Sequence, residues 1–215
     1  MSEIGLQDLV RNRTMSAAIA ATLRTTVREG HSFLVFAVPR NAGKSTTLGA
    51  MLAERAAGLP VRTVTGEADE QQLLRRERAG GYLIVPEVLS ERSASVPSEY
   101  LWGEPVRRVF ATLASGYSLA LTLHAPGVHE AFEVLSRKNA VPDGDASRLR
   151  LAVFIRSIGE WEHPEKRRVG EVHEVLRVTG GVPEVRLLHR WDEAEDRFVE
   201  VEPARIIGQG RAAGA

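Results

Sequence analysis

The sequence contains no cysteine, which removes both a disulfide framework and a zinc–thiolate site. It also lacks an excess of either charge. Its 28 basic and 28 acidic residues cancel, so no net field draws the chain to nucleic acid or an anionic lipid surface. No apolar run approaches the roughly 20 residues of a membrane span. The opening MSEIGLQDLV carries acids where a signal peptide has basic and then apolar residues, and the expected location is cytoplasmic. Aromatic residues are sparse. Trp102, Trp161 and Trp191 stand apart rather than forming a stacking platform, so no nucleic-acid partner is expected. The histidines lack metal-ligand spacing, and His124 and His129 straddle a loop-to-helix junction that does not face both rings one way. No metal except Mg²⁺ is expected. The remaining composition, 43% apolar and 26% charged over 215 residues, suits one large soluble domain or a core with a small appendage.

Residues 33–47, FLVFAVPRNAGKSTT, organise the rest. An apolar run over 33–38 breaks at Pro39 into a polar loop. The loop closes on Gly43-Lys44-Ser45-Thr46, and an Ala/Leu-rich helical pattern follows to about residue 57. Strand, loop, Gly-Lys-Ser, helix is the setting of a phosphate-binding loop. Backbone N–H groups and the new helix's positive end would hold the anion. Lys44 would reach the β- and γ-phosphates, and the Ser45 hydroxyl would ligate Mg²⁺. Val38 stands where the G-x-x-x-x-G-K-[ST] pattern has its first Gly, and a β-branched residue restricts that turn.

Along the chain, residues 1–15 read as a polar, loosely held lead-in. Ile19, Leu23 and Val27 then mark a helix that Ser16 can cap. Short strands are expected at 61–65, 82–85 and 117–123, and helices at 67–78, 104–114 and 127–138. Residues 88–102, rich in Ser and without periodicity, read as a loop. Apolar strands alternating with helices predict a parallel sheet covered on both faces. From residue 148 the pattern changes to strands near 151–157, 168–178, 184–191 and 198–201. Gly180-Gly181 and the 192–193 region supply hairpin turns. The Gly/Ala-rich tail from 206 is expected to fray.

In a parallel α/β sheet, ligands lie beyond the carboxyl ends of the strands. Three such ends carry polar residues: the loop, Glu87 after YLIVP, and His124 after TL. Glu87 could orient or deprotonate an attacking water, or hold a Mg²⁺-bound water, and His124 could sense or polarise a γ-phosphate. Arg75, Arg76 and Arg78 are either a solvated face or a source of an arginine finger.

The order of these motifs resembles a known family. VPRNAGKSTTL is similar to the nucleotide-binding loop of the ATPases that power type II and type IV secretion and type IV pili. GYSLALTLHAPGVHEAFEVL resembles their histidine box, and YLIVPEV falls where their Walker B strand and catalytic Glu lie. VTGEADE sits at their acidic box, matching at Glu67 only, and VFIRSIGE with KRRVGEVHEVL resembles the region after the histidine box in the tight-adherence-pilus branch. The resemblance spans residues 16–201 and implies a RecA-like ATP-binding core, a hexameric homo-oligomer and secretion or pilus partners. The chain departs from that pattern at Val38, Ala68, Leu89 and Ser90, and the family's N-terminal domain is expected to be absent.

The expected architecture is therefore α/β: a P-loop, RecA-like three-layer sandwich with a largely parallel sheet and a C-terminal antiparallel β-meander. Residues 16–147 form the nucleotide-binding core and 148–205 the meander, within a domain of 16–205 flanked by a lead-in (1–15) and a tail (206–215). The expected ligands are ATP and Mg²⁺. Pro39, Arg40, Asn41, Ala42, Gly43, Lys44, Ser45 and Thr46 bind the nucleotide, Ser45 the metal, and Lys44, Glu87 and His124 act in hydrolysis. The rival expectation is a non-hydrolysing nucleotide-dependent regulator or assembly partner. A third, a small-molecule kinase, would use 88–102 as its lid.

Overall fold

The structure is a computed structural model that describes residues 4–38, 41–92, 97, 99–160 and 162–209. Its centre is β1 (Ser32–Ala37), every residue of which is buried. Because a strand's side chains alternate between faces, Phe33, Val35 and Ala37 enter one apolar cluster and Leu34 and Phe36 the other. The first cluster is closed by α1 (Leu6–Arg11), α2 (Ala17–Arg28) and α3 (Lys44–Leu52). The second is closed by α4 (Ala68–Glu77), α5 (Glu104–Ala111), α6 (Val128–Glu133) and α7 (Asp143–Ala146). This is the expected three-layer α/β sandwich.

Along the main path of the sheet five strands run parallel: β2 (Val61–Thr63), β3 (Tyr82–Val88), β5 (Ser118–His124), β1 and β6 (Leu149–Gly159), in that spatial order. Antiparallel strands β7 (Pro164–Thr179), β8 (Val182–Asp192) and β9 (Arg197–Glu200) continue the same sheet from β6. The meander is thus an extension of the core sheet rather than a separate layer. Gly180 and Gly181, at φ 60° and 75°, join β7 to β8 across the Thr179–Val182 pair. Positive φ at both central residues matches the twist of the flanking strands.

Local signals act as the sequence reading expects in α2, where the Ser16 hydroxyl accepts from Ile19 N at 3.1 Å. Ile19, Leu23 and Val27 are wholly buried, each contributing about 1.5–3 kcal/mol by its removal from water. Other expectations are corrected. Residues 6–15 are not a loose lead-in: α1 forms, and Leu6, Leu9 and Met15 are buried against α2 and α3. The helix after the phosphate loop begins at Lys44 and stops at Leu52, short of residue 57. The 88–102 segment contributes β4 (Tyr100–Leu101), which pairs with the end of β3. The helix over 127–138 changes to a π-helical turn at Val134–Lys138.

The tail is also tied down through residue 208. The wholly buried Glu174 carboxylate accepts from the backbone N–H groups of Arg205, Ile206 and Ile207 at 2.7, 2.7 and 2.9 Å. Gly208 N reaches Glu29 Oε2 at 2.9 Å. A buried carboxylate needs such donors, and a Gly/Ala composition carries no trace of a partner thirty residues upstream.

Candidate functional site

The carboxyl ends of β1, β5 and β3 meet at one edge of the sheet. Register pairs Ala37 directly with His124, and the chain leaves β1 there to enter the loop. Positive φ at Asn41 (63°) and Gly43 (95°) turns the loop back into α3. Lys44, Ser45 and Thr46 occupy the first turn of α3, where backbone N–H groups have no helical partner. Val38 lies just past the strand and is 42% exposed. Pro39 and Arg40, also expected to bind nucleotide, fall outside the described residues.

A β-bulge sets Glu87. Between Val85 and Val88 the register of β3 against β5 shifts, three residues of β3 spanning two of β5. Leu83 and Val85 face the α5/α6 cluster, and strict alternation would put Glu87 beside them. The extra residue returns that face to Val88 instead. Pro86, which has no N–H for the ladder, sits at the irregularity, where such a residue is tolerated. Glu87 consequently lies with Thr122 and His124, which share the α3-side face of β5 with Ala120.

Glu87 is 5% exposed. Its Oε2 takes a hydrogen bond from Thr122 Oγ1 at 2.9 Å and lies 3.4 Å from Lys44 Nζ. Thr122 Oγ1 also lies 2.5 Å from Pro86 O, clamping the bulge. Lys44 Nζ is 3.0 Å from His124 Nε2, and His124 Nδ1 is 3.1 Å from Ala37 O. An ammonium donates and a carbonyl accepts. One arrangement satisfies both: Nδ1–H donates to Ala37, and Nε2 accepts from Lys44. The longer 3.4 Å approach of Lys44 to Nδ1 then carries no bond. All three residues expected to act in hydrolysis are therefore in mutual contact.

The other Glu87 oxygen, Oε1, is buried without a hydrogen bond among the described residues, 3.8 Å from His124 Nε2. An unbonded buried carboxylate oxygen is costly unless something binds it. Glu87 shares with Gly43, Lys44, Ser45, Thr46 and His124 the wall of a cavity of about 630 Å³, adequate for a polyphosphate. Ser45 is exposed to this space. No group of three or more metal-ligating side chains occurs among the described residues. One hydroxyl and one nearby carboxylate, with phosphates completing the shell, fit Mg²⁺ better than an all-protein cage.

The sequence reading missed Arg167. From β7 its Nε donates to Asn41 O at 3.0 Å, and its side chain lies across Gly43. The triplet Lys166-Arg167-Arg168 was visible, but no local pattern tells which of the three faces the loop. Among the described residues, Arg75, Arg76 and Arg78 do not line the cavities described at Gly43, Ser45 and Thr46.

The fold and loop together define a P-loop, three-layer α/β core. No family model and no curated protein matches the chain. Solved structures share the fold, among them two secretion-system ATPases. The VirB11 ATPase of the Brucella suis type IV secretion system, solved with sulphate, is similar at TM-score 0.50 and 17% identity, over 78% of this chain and 55% of that one. The ATPase DotB of Yersinia pseudotuberculosis is similar at TM-score 0.52 and 12% identity, over 80% of this chain and 48% of that one. The chain spans about half the length of these structures. Among the described residues no helix is long and apolar enough to cross a membrane.

Proposed function

We propose that the chain binds Mg²⁺-ATP at the loop 39–46 and hydrolyses its terminal phosphoanhydride. The observation that carries this reading is the convergence of Lys44, Glu87 and His124 from three separated stretches of sequence onto one cavity. Lys44 moves from Glu87 to the β- and γ-phosphates, and the Ser45 hydroxyl holds Mg²⁺. When bound, the metal neutralises charge on the phosphate oxygens. Glu87 Oε1 accepts a proton of the attacking water, and the carboxylate is held for that task by Thr122 Oγ1. His124, oriented by Ala37 O, lies beside the γ-phosphate through Nε2. Positioning and charge neutralisation supply most of the rate in such a transfer.

Isothermal titration with ATP and a phosphate-release assay test this reading. Lys44→Ala is expected to abolish binding, and retained micromolar affinity sinks the phosphate-loop assignment. Glu87→Gln is expected to keep ATP affinity and slow turnover roughly 10²-fold or more. Unchanged turnover removes Glu87 from the mechanism.

The second reading is a non-hydrolysing regulator, favoured by two observations. Val38 occupies the first glycine's position, and Lys44, the loop's central cation, is already engaged by Glu87 and His124. Tight ATP binding without phosphate release selects it. A cytoplasmic hexamer serving secretion or pilus machinery extends the proposal. Light scattering with and without ATP tests the ring, and a molar mass that stays that of one chain rejects it.

A further inference from the structure

We infer that Arg167 is a polyphosphate ligand supplied in cis by β7, an inference that rests on the phosphate-loop reading. Three observations converge on it. Its side chain is laid over the loop, with Nε 3.0 Å from Asn41 O and Cδ 3.0 Å from the position a β-carbon on Gly43 would take. It is also shared by the cavities on either side of Gly43, the one lined by Lys44 and Glu87 and a second of about 540 Å³ lined by Asn12, Thr14 and Thr46. A chain of phosphates laid along the loop therefore passes this guanidinium.

The third observation is the distribution of charge. A polyphosphate site needs uncompensated positive charge, and Lys44 has Glu87 3.4 Å away. Arg168, the next residue, is committed elsewhere: it grips Asp196 through two bonds of 2.8 and 2.9 Å and is buried. Among the described residues the Arg167 guanidinium has no carboxylate within 4.0 Å, and its only hydrogen bond uses Nε. Glu162 lines the Lys44 cavity too, outside ion-pair distance of Arg167. The two terminal nitrogens of Arg167 remain for an anion, and their planar fork matches two phosphate oxygens. The Asn41 bond holds the fork in place beforehand, so little rotamer freedom is lost on binding. A cation from the chain's own β7 needs no neighbouring subunit to complete the charge of the site.

The test compares wild type, Arg167→Gln and Arg167→Lys by isothermal titration with ATP, inorganic tripolyphosphate and adenosine, alongside thermal melting. Glutamine keeps an N–H for Asn41 O and removes the charge, whereas lysine keeps the charge and loses the fork. The expected result is a roughly 10-fold or greater loss for ATP and tripolyphosphate in Arg167→Gln, a smaller loss in Arg167→Lys, and unchanged melting. Arg167→Gln binding both anions within about twofold of wild type overturns the inference and leaves the phosphate loop intact. A wild-type protein that binds neither ATP nor tripolyphosphate overturns both. Equal losses in the two variants, with a lowered melting temperature, assign Arg167 to holding the loop and overturn its role as a ligand.

Discussion

Thr122 holds Glu87: its hydroxyl lies 2.9 Å from Glu87 Oε2, two residues before His124 on the same strand. The contact crosses from β5 to the bulge of β3 and also reaches Pro86 O at 2.5 Å. The hydroxyl has one proton, shared between Pro86 O and Glu87 Oε2, and so ties the bulge to the carboxylate.

Thr122→Val keeps the shape and removes the hydroxyl. Without it Glu87 Oε2 loses a donor in a buried setting, at a cost of about 1 kcal/mol in stability. In the proposed hydrolysis, kcat is expected to fall roughly 10-fold, as for a catalytic group misplaced rather than removed. KM for ATP should stay near the wild-type value. A fall in affinity with unchanged kcat would show that Thr122 serves the loop instead.

Glu174→Gln probes the clip on the C-terminal segment. The amide can accept through one oxygen only, and its NH₂ confronts one of the three backbone donors at 205–207. Destabilisation of about 1–3 kcal/mol is expected for a buried donor left unpaired. For a chain of this size that lowers Tm by roughly 2–4 °C per kcal/mol. Amide exchange at Ile206 and Ile207 should accelerate beyond the global change. Uniform acceleration across the chain would argue against a local clip.

His189 makes stability pH-dependent. Burial lowers its pKa from the ordinary 6.5, with Glu200 partly opposing the shift. Its Nε2 meets Thr22 Oγ1 at 2.9 Å, and its Nδ1 is buried without a partner among the described residues. As pH falls below about 6.5, the unfolded chain takes up the proton before the native ring does. Stability is therefore complete above that pH and declines until the native ring itself protonates. Denaturant midpoints from pH 8 to 5 should show the decline in wild type and a shallower one in His189→Gln. Parallel slopes in the two proteins would acquit His189.

Much of this molecule was legible from local pattern. The 3.6-residue spacing of Ile19, Leu23 and Val27 and the Ser16 cap specify α2 without reference to anything distant. The largely apolar β1 and β5 announce a sheet buried on both faces, and Gly-Lys-Ser after a strand announces the loop. Leu6, Leu9 and Met15 were harder to place, because a six-residue helix is too short to show a period. Tyr100 and Leu101 form β4 only because the end of β3 offers a free edge beyond β2.

By itself the sequence determined which side chains could do chemistry and that they stand at strand ends: Lys44 in its loop, Glu87 after one apolar strand, His124 after another. Tertiary structure decided which of them meet. Glu87 reaches Lys44 and Thr122 through the bulge at Pro86, because one extra residue reverses the face to which a strand's side chain points. Arg167 reaches the loop from 126 residues away because β7 follows β6 out from β1. Such contacts arise from register and sheet order, which depend on pairings between segments distant in the chain, and no local pattern carries them.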